Sequence, residues 1–398
     1  MMSKQKEWMI GLEFGPEYAQ LSYFHPSMKE PQTAGDHEAD YLIPVPEQVW
    51  QEASDPNVPV SILPLFLEGC LDRIPGKPDP ADLRIMVTVP SLEGIAWERA
   101  AKALETLGTE RKHIFVQDYQ SSFYYYAVNQ KRELWNGDVA LIEYTGGTMI
   151  GWIMHIDRTK SPVVVSVKQA AAMPVDEDLR GGRDDESWDM ERDRLFFELL
   201  KRVFERRNVV TCYLLGTYFD RRWAVRSFQY LCFRRHAFQG GNLYTKGACY
   251  GAMERMGALR MPETVYLGSA VVRDNLGMKV KVRGKEVYYP LISAGENWYE
   301  AYHACEIIPD EDRRLIILSR SMTGGPEVGH ILRLTDFPAR SPRASRLKMS
   351  LYFTSPECAV VELEDLGFGG FYRSSGQVWK RSIYLPTGDD GEAEEDEL

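Results

Sequence analysis

The sequence predicts a duplicated α/β domain followed by an all-β sandwich. Three observations carry this. The first is a device that occurs twice: strand, acid, glycine turn, strand. It appears at Met9–Phe24 (MIGLEFGPEYAQLSYF), with Glu13 and Gly15 at the turn. It appears again at Asp138–Met154 (DVALIEYTGGTMIGWIM), with Glu143 and Gly146-Gly147-Thr148 at the turn. Apolar runs broken by glycines that tolerate positive φ read as buried hairpins. A Gly-Gly-Thr turn can also aim backbone N–H groups at an anion such as a phosphate. The second observation is the alternation of strand and helix signals over residues 83–129 and 190–256. The third is a change of character at residues 257–263, after which short alternating strands dominate.

Composition bounds the function. A chain of 398 residues suggests two to three domains. The net charge of −11 argues against a general nucleic-acid binder. No apolar run reaches the length of a membrane span, and MMSKQKEW leads into no signal-peptide core. Six cysteines lie scattered without CxxC spacing, which predicts reduced thiols in a cytoplasmic protein. The seven histidines form no metal-ligand spacing.

The elements follow in order. Trp8–Leu12 and Ala19–Phe24 form the first hairpin. Residues 26–59 are rich in Pro, Asp and Glu, with one strand candidate at Tyr41–Val45. Val60–Leu71 carries Ile62, Leu63, Phe66, Leu67, Cys70 and Leu71 at helical spacing, and PGKPDP from Pro75 ends it. Leu83–Val89 is a continuous apolar strand, as in the centre of a sheet. Ser91 serves as an N-cap for a helix through Leu107, with Trp97, Ala101 and Leu104 inward and Gly108 at its end. A strand at His113–Val116 and an aromatic helix at Ser121–Val128 come next. Tyr124–Tyr126 read as core aromatics rather than a stacking platform.

After the central hairpin, Pro162–Gln169 is a strand and residues 174–189 a polar, solvated loop. Met190–Arg207 is a helix with Leu195, Phe196, Leu199, Leu200, Val203 and Phe204 in one stripe. Val209–Leu215 is a buried strand stopped by Gly216. Helices at Asp220–Cys232 and Tyr244–Met256 flank a Gly240-Gly241 turn. Seven strands follow, at Met278–Val282, Val287–Ile292, Leu315–Ser319, Ile331–Leu334, Leu347–Phe353, Cys358–Glu364 and Lys380–Leu385. Seven of the last eleven residues are acidic, which predicts a disordered tail at 388–398.

The order of these motifs resembles the DnaK-type (70-kDa heat-shock) chaperones of the actin-like ATPase superfamily. The residues that carry the resemblance are the two acid-glycine hairpins, the VTVP strand end at Val87–Pro90 with its helix, and the strand ending at Asp118. Further along, the Gly216 turn and Lys246-Gly247-Ala248 are similar to the family's adenosine-contacting segment and Gly-Ala helix. NLGMKV at 275–280 looks like the opening of its substrate-binding domain, and residues 329–367 resemble a strand, connection and hairpin of the same domain. The whole chain also looks like an uncharacterised clostridial family of unknown function. The resemblance implies an actin-like (ribonuclease H-like) duplicated domain with reduced insertions at 1–258. A β-sandwich of substrate-binding type at 264–387 and the tail at 388–398 complete the chain.

The same resemblance implies a nucleotide site, ATP or ADP with Mg²⁺. Its cofactor-binding residues would be Gly15, Gly146, Gly147, Thr148 and Gly216. Glu13, Asp118 and Glu143 are the catalytic candidates, with Glu13 and Glu143 as metal ligands should Mg²⁺ bind. The family has aspartates where Glu13 and Glu143 stand. One extra methylene displaces a carboxylate by about 1.5 Å, and Mg²⁺ demands near-ideal octahedral geometry. Pro16 removes an N–H donor from the first loop and Glu17 adds negative charge. Tyr119 follows Asp118 where the family has proline, and Thr145 replaces the first glycine of the second loop. The chain offers no counterpart of the family's phosphate-contacting lysine, of its adenine-clamping lobe or of its helical lid.

Phosphoryl transfer depends on metal and positive charge, so the erosion predicts weak or no ATP binding and hydrolysis. The favoured function is a degenerate chaperone-like interaction module or scaffold, a pseudo-ATPase that takes a protein partner or polypeptide segment through the sandwich. The alternatives are an ATP-dependent chaperone that couples nucleotide state to polypeptide binding, an actin-like structural protein, and a small-molecule kinase. Two basic clusters, at Arg221–His236 and at Arg340–Lys348, read as solvated surface before they read as docking sites.

Overall fold

The computed structural model describes residues 7–385 except 36, 38, 39, 146, 176–183, 217, 220, 221, 269, 270, 310–313, 323 and 342. The chain divides into two compact units, residues 1–264 and 265–398.

The first unit begins with the antiparallel hairpin of β1 (Trp8–Phe14) and β2 (Tyr18–Phe24), in which Glu13 lies opposite Gln20. Two short strands, β3 (Gln32–Thr33) and β4 (Ile43–Pro44), pair with β2. Helices α1 (Glu47–Ser54) and α2 (Leu63–Leu71) lead to β5 (Leu83–Val89), parallel to β1 and buried at every residue. After α3 (Ala96–Thr106), β6 (Ile114–Asp118) runs parallel to β5 and passes directly into α4 (Tyr119–Val128). The sheet order is β3-β2-β1-β5-β6.

The second half of this unit repeats the plan. β7 (Asp138–Thr145) and β8 (Thr148–Asp157) form a hairpin, and β9 (Val163–Pro174) is antiparallel to β8. Then α5 (Asp185–Phe204), β10 (Val209–Leu215), α6 (Val225–Cys232), β11 (His236–Gln239) and α7 (Leu243–Arg255) follow. β7, β10 and β11 are parallel neighbours, which gives the order β9-β8-β7-β10-β11. Each half is thus a hairpin, a third antiparallel strand and two parallel strands added on the other side. This is the strand order of the actin-like fold.

The helices that close each half change sides. α7 covers the first sheet, where Met9, Phe24 and Met86 meet Ala248, Cys249, Ala252 and Met253. α4 meets the second sheet, where Tyr213 of β10 takes Phe123 and Tyr126 edge-on. α1, α2 and α3 fill the opposite face of the first sheet, and α5 and α6 that of the second. The exchange needs small residues. A Cβ on Gly247 would stand 1.9 Å from the Ser122 carbonyl oxygen, and one on Gly11 2.0 Å from that of Thr245.

Several boundaries differ from the sequence expectation. α1 forms inside the acidic stretch, because Val49 and Ala53 bury one face while Glu47 and Gln51 face solvent. Only Ile43–Pro44 of the expected Tyr41–Val45 strand is extended. The expected helix from Ser91 starts at Ala96. Ser91 Oγ instead accepts the Glu93 N–H at 3.0 Å, and Gly94 at φ +95° breaks the helical run. α5 begins at Asp185, where Asp184 caps it by accepting the Ser187 N–H at 2.8 Å. The Gly181-Gly182 part of the expected loop lies outside the described residues. α6 begins at Val225 rather than Asp220, and β11 forms where no strand was expected.

A short strand, β12 (Thr264–Tyr266), spans the unit boundary. In the second unit β13 (Asp274–Val282) and β14 (Lys285–Ile292) join through Arg283-Gly284, both at positive φ, the geometry of a tight hairpin turn. β15 (Tyr302–Ile307), which the sequence reading missed, precedes β16 (Arg314–Ser321), β17 (Val328–Arg333), β18 (Arg346–Ser355), β19 (Cys358–Gly367) and β20 (Val378–Tyr384). They make two four-stranded antiparallel sheets, β14-β13-β16-β17 and β15-β18-β19-β20. One core joins them, with Leu276, Met278 and Ile317 against Leu347, Met349, Leu351, Val361 and Leu363. The sheets therefore pack face to face.

Candidate functional site

The two acids stand at equivalent places of the repeat, each close to the end of the first strand of its half. Each meets a tyrosine from the first turn of a closing helix. Tyr119, at the start of α4, hydrogen-bonds Glu13. Tyr244, at the start of α7, hydrogen-bonds Glu143. The two phenol rings then stack on one another, 4.2 Å between centroids and 18° apart. The result is a quartet, acid–tyrosine–tyrosine–acid, that follows the internal duplication of the unit. Trp152 Nε1 donates to Glu143 Oε2 at 2.6 Å. Tyr18, at the start of β2, lies within the field of both acids.

Burial sets the protonation. Glu13 is 2 % exposed, and desolvation pushes its carboxyl up to about 8, with Glu143 adding repulsion. Burial also raises Glu143, against the hydrogen bonds from Tyr244 and Trp152. Tyr119 and Tyr244 are raised well above the ordinary phenol range, first by burial and then by the acids. Among the described residues no lysine or arginine acts on either carboxyl group. Glu13 Oε1 and both side-chain atoms of the neighbouring Gln20 have no hydrogen-bond partner. An ionised Glu13 would bury a charge on a partly unsatisfied group, so the neutral acid is the form this site favours.

The other candidates fall around this quartet. Asp118 is buried and caps α4, its Oδ1 accepting the Ser121 N–H at 2.8 Å. Gly15 turns the first hairpin, and a Cβ there would come within 3.0 Å of the Tyr119 hydroxyl. Gly147 sits at φ +74° and Thr148 pairs with Thr145 across the second turn. Gly146 lies outside the described residues. Gly216, at φ +119°, passes so close to β7 that a Cβ would stand 2.5 Å from the Tyr144 carbonyl oxygen. Sequence reasoning noticed Tyr119 only as a missing proline and Tyr244 only as a helix start. It missed Tyr18, Gln20 and Trp152. Laying the two halves over one another, acid on acid, is the operation that would have exposed the tyrosine pair.

A magnesium–nucleotide does not fit these side chains. The metal wants hard anionic oxygens, whereas Glu13 holds its proton at neutral pH and Glu143 is shifted the same way. A polyphosphate wants cations or free N–H donors, whereas the stacked tyrosines and two acids line this ground. Among the described residues no group of three or more His, Cys, Asp or Glu could hold a metal ion.

The basic clusters are largely engaged. Arg226 lies 3.8 Å from the Phe197 centroid and Arg235 4.3 Å from Phe204. Arg340 is buried in a two-pronged pair with Asp365, both contacts 2.7 Å, and Arg346 pairs with Glu306 at 3.3 Å. Arg221 lies outside the described residues. No helix among the described residues is long and apolar enough to cross a membrane. The six cysteines are free, with Cys70, Cys212 and Cys249 buried and Cys232 exposed.

Fold and site together define a class: a duplicated α/β protein of actin-like strand order whose two strand-end acids are closed by a tyrosine pair. The chain belongs to the Family of unknown function (DUF5716), whose C-terminal model matches residues 50–269. A second model, Domain of unknown function (DUF8552), matches residues 271–385. No curated protein matches the chain. Among solved structures the chain is similar to a protein with actin-like ATPase fold and unknown function from Bacteroides thetaiotaomicron. That likeness has 9% identity over 65% of this chain and 98% of the other, with a TM-score of 0.34. It is also similar to a non-polymerisable pCBH ParM mutant, at 9% identity over 62% and 99% of the two chains and a TM-score of 0.37. MreB5 of Spiroplasma citri bound to ADP is similar at 11% identity over 63% and 97%, with a TM-score of 0.33.

Proposed function

We propose that this protein is a protein-interaction scaffold, an actin-like unit that has given up nucleotide chemistry, joined to a β-sandwich that takes an extended polypeptide. The observation that carries the first half is the stacked Tyr119–Tyr244 pair between the proton-holding Glu13 and Glu143, which burial shifts the same way. Catalysis of phosphoryl transfer rests on preorganised positive charge, and this quartet supplies none.

The outer face of sheet β14-β13-β16-β17 supports the second half. Ile316 and Ile331 are cross-strand partners and both exposed, 42% and 38%. Leu318 lies two residues from Ile316 on the same face. Gly277, its partner on β13, is covered by the Tyr288 ring. Arginines bracket this apolar stripe, with Arg314 opposite Arg333 at one end and Arg320 at the other. An exposed apolar stripe between positive ends suits an extended segment with apolar side chains and acidic flanks.

Calorimetry of the full chain with ATP and ADP, with and without Mg²⁺, tests the first half. The expected outcome is no saturable binding and no ATP turnover above a mock preparation. Turnover that vanishes in Glu143→Ala would overturn it and return the chain to the working ATPases. For the second half, a pull-down should yield one stoichiometric partner that Ile316→Asp releases. A broad set of unfolded clients released by ATP would instead identify an active chaperone.

A further inference from the structure

Away from the acid–tyrosine quartet, the first unit has a cavity of about 250 Å³ lined by Arg132, Lys160, Ser161, Pro162, Glu263 and Thr264, among others. Its chemistry is unbalanced. The Arg132 guanidinium carbon lies over the Trp135 indole, 3.9 Å from the ring centroid, and the group has no hydrogen-bond acceptor among the described residues. Arg158 approaches the same ring at 5.6 Å and donates to the Trp135 carbonyl oxygen at 2.7 Å. Neither arginine meets a carboxylate among the described residues, and Glu263, the acid in the cavity wall, forms no ion pair with them. Trp135 itself is buried, its Nε1 bonded to the Gln130 carbonyl oxygen, so the platform under Arg132 is rigid.

Two guanidiniums on one indole repel each other. Desolvation by burial, with that repulsion added, lowers the Arg158 pKa below its usual value. Stacking leaves the edge of a guanidinium, with its fork of N–H donors, open to a planar oxyanion. Lys160 also lines the cavity and lies within the field of Asp157. The volume is at the low end for ligand sites, which limits the occupant to a small molecule.

We propose that this cavity binds a small organic oxyanion, a carboxylate or phosphate group gripped by Arg132 with Lys160 at the rim. The test is titration calorimetry of the full chain with inorganic phosphate, pyrophosphate and succinate at constant ionic strength, sodium chloride serving as control. The expected result is saturable binding of at least one probe, one site per chain, with Kd below about 10 mM. Arg132→Gln, at an exposed position where the fold is retained, should weaken it about tenfold. Preference for pyrophosphate over succinate assigns the phosphate class, and the reverse the carboxylate class. Absence of saturable heat with all three probes would overturn the proposal. So would binding that Arg132→Gln leaves unchanged.

Discussion

Glu13 is the residue on which the character of the α/β unit turns. A carboxyl at the end of a central strand, under a helix start and opposite Gln20, is desolvated by burial, so it keeps its proton up to about 8. In the unfolded chain the same group ionises near 4.5. Between those values the unfolded state binds fewer protons than the folded one, so the contribution of Glu13 to stability falls as pH rises through the window. It is fully present below the lower value and lost above the upper one. Glu13→Gln keeps the shape without the titration. Its melting temperature should match the wild type at pH 4 and exceed it by several degrees at pH 8. Thermal melts at the two pH values check this, and a variant less stable than wild type at pH 8 would mean that the ionised acid is the native form.

Among the elements, the pair α4 and α7 has the least tolerance. Each leaves its own half and packs against the other sheet, and they pass one another at Gly247 and Ser122. The Tyr119–Tyr244 stack forms at their first turns because the two backbones come this close. Gly247→Ala would push a methyl group into the Ser122 carbonyl, and backbone cannot give way as a flexible side chain can. The expected cost is about 1–3 kcal/mol or more, read from urea denaturation as a lower midpoint at unchanged slope. Gly241→Ala, in the exposed turn where a Cβ meets nothing within 4 Å, should leave the midpoint within error. Gly247 was legible in the sequence as part of a Gly-Ala helix and Gly241 as a turn. Which carbonyl Gly247 faces was not, since Ser122 and Gly247 lie far apart in the chain.

For the whole molecule, the two compact units have separate cores, one pair of clusters around the α/β sheets and one between the sandwich sheets. A unit with its own buried core is expected to fold alone. We propose the boundary near residue 264. Fragments ending at Thr264 and starting at Val265 should each give cooperative thermal unfolding by circular dichroism. Failure of both, with a single transition in the full chain, would make the two units one folding body.

The sequence by itself determined most of the longer elements and their order. The acid-glycine hairpins, the continuous apolar run at Leu83–Val89, the stripe on α5 and the alternating strands after residue 264 are all local patterns. A period of two or of 3.6 is written in neighbouring residues. It missed β3, α1, β11, β12 and β15, each short, and it began α3 too early because a capping serine competes with a turn one glycine away. What only the tertiary structure decided is the site. Glu13 and Glu143 were legible as strand-end acids, but their protonation was not, because a pKa depends on what surrounds the group in space. The tyrosines that meet them come from helix starts distant along the chain, and their stacking follows from the exchange of α4 and α7 between the halves. A resemblance of motifs pointed to a nucleotide cleft, and long-range packing sets a stacked pair of phenol rings beside the two strand-end acids.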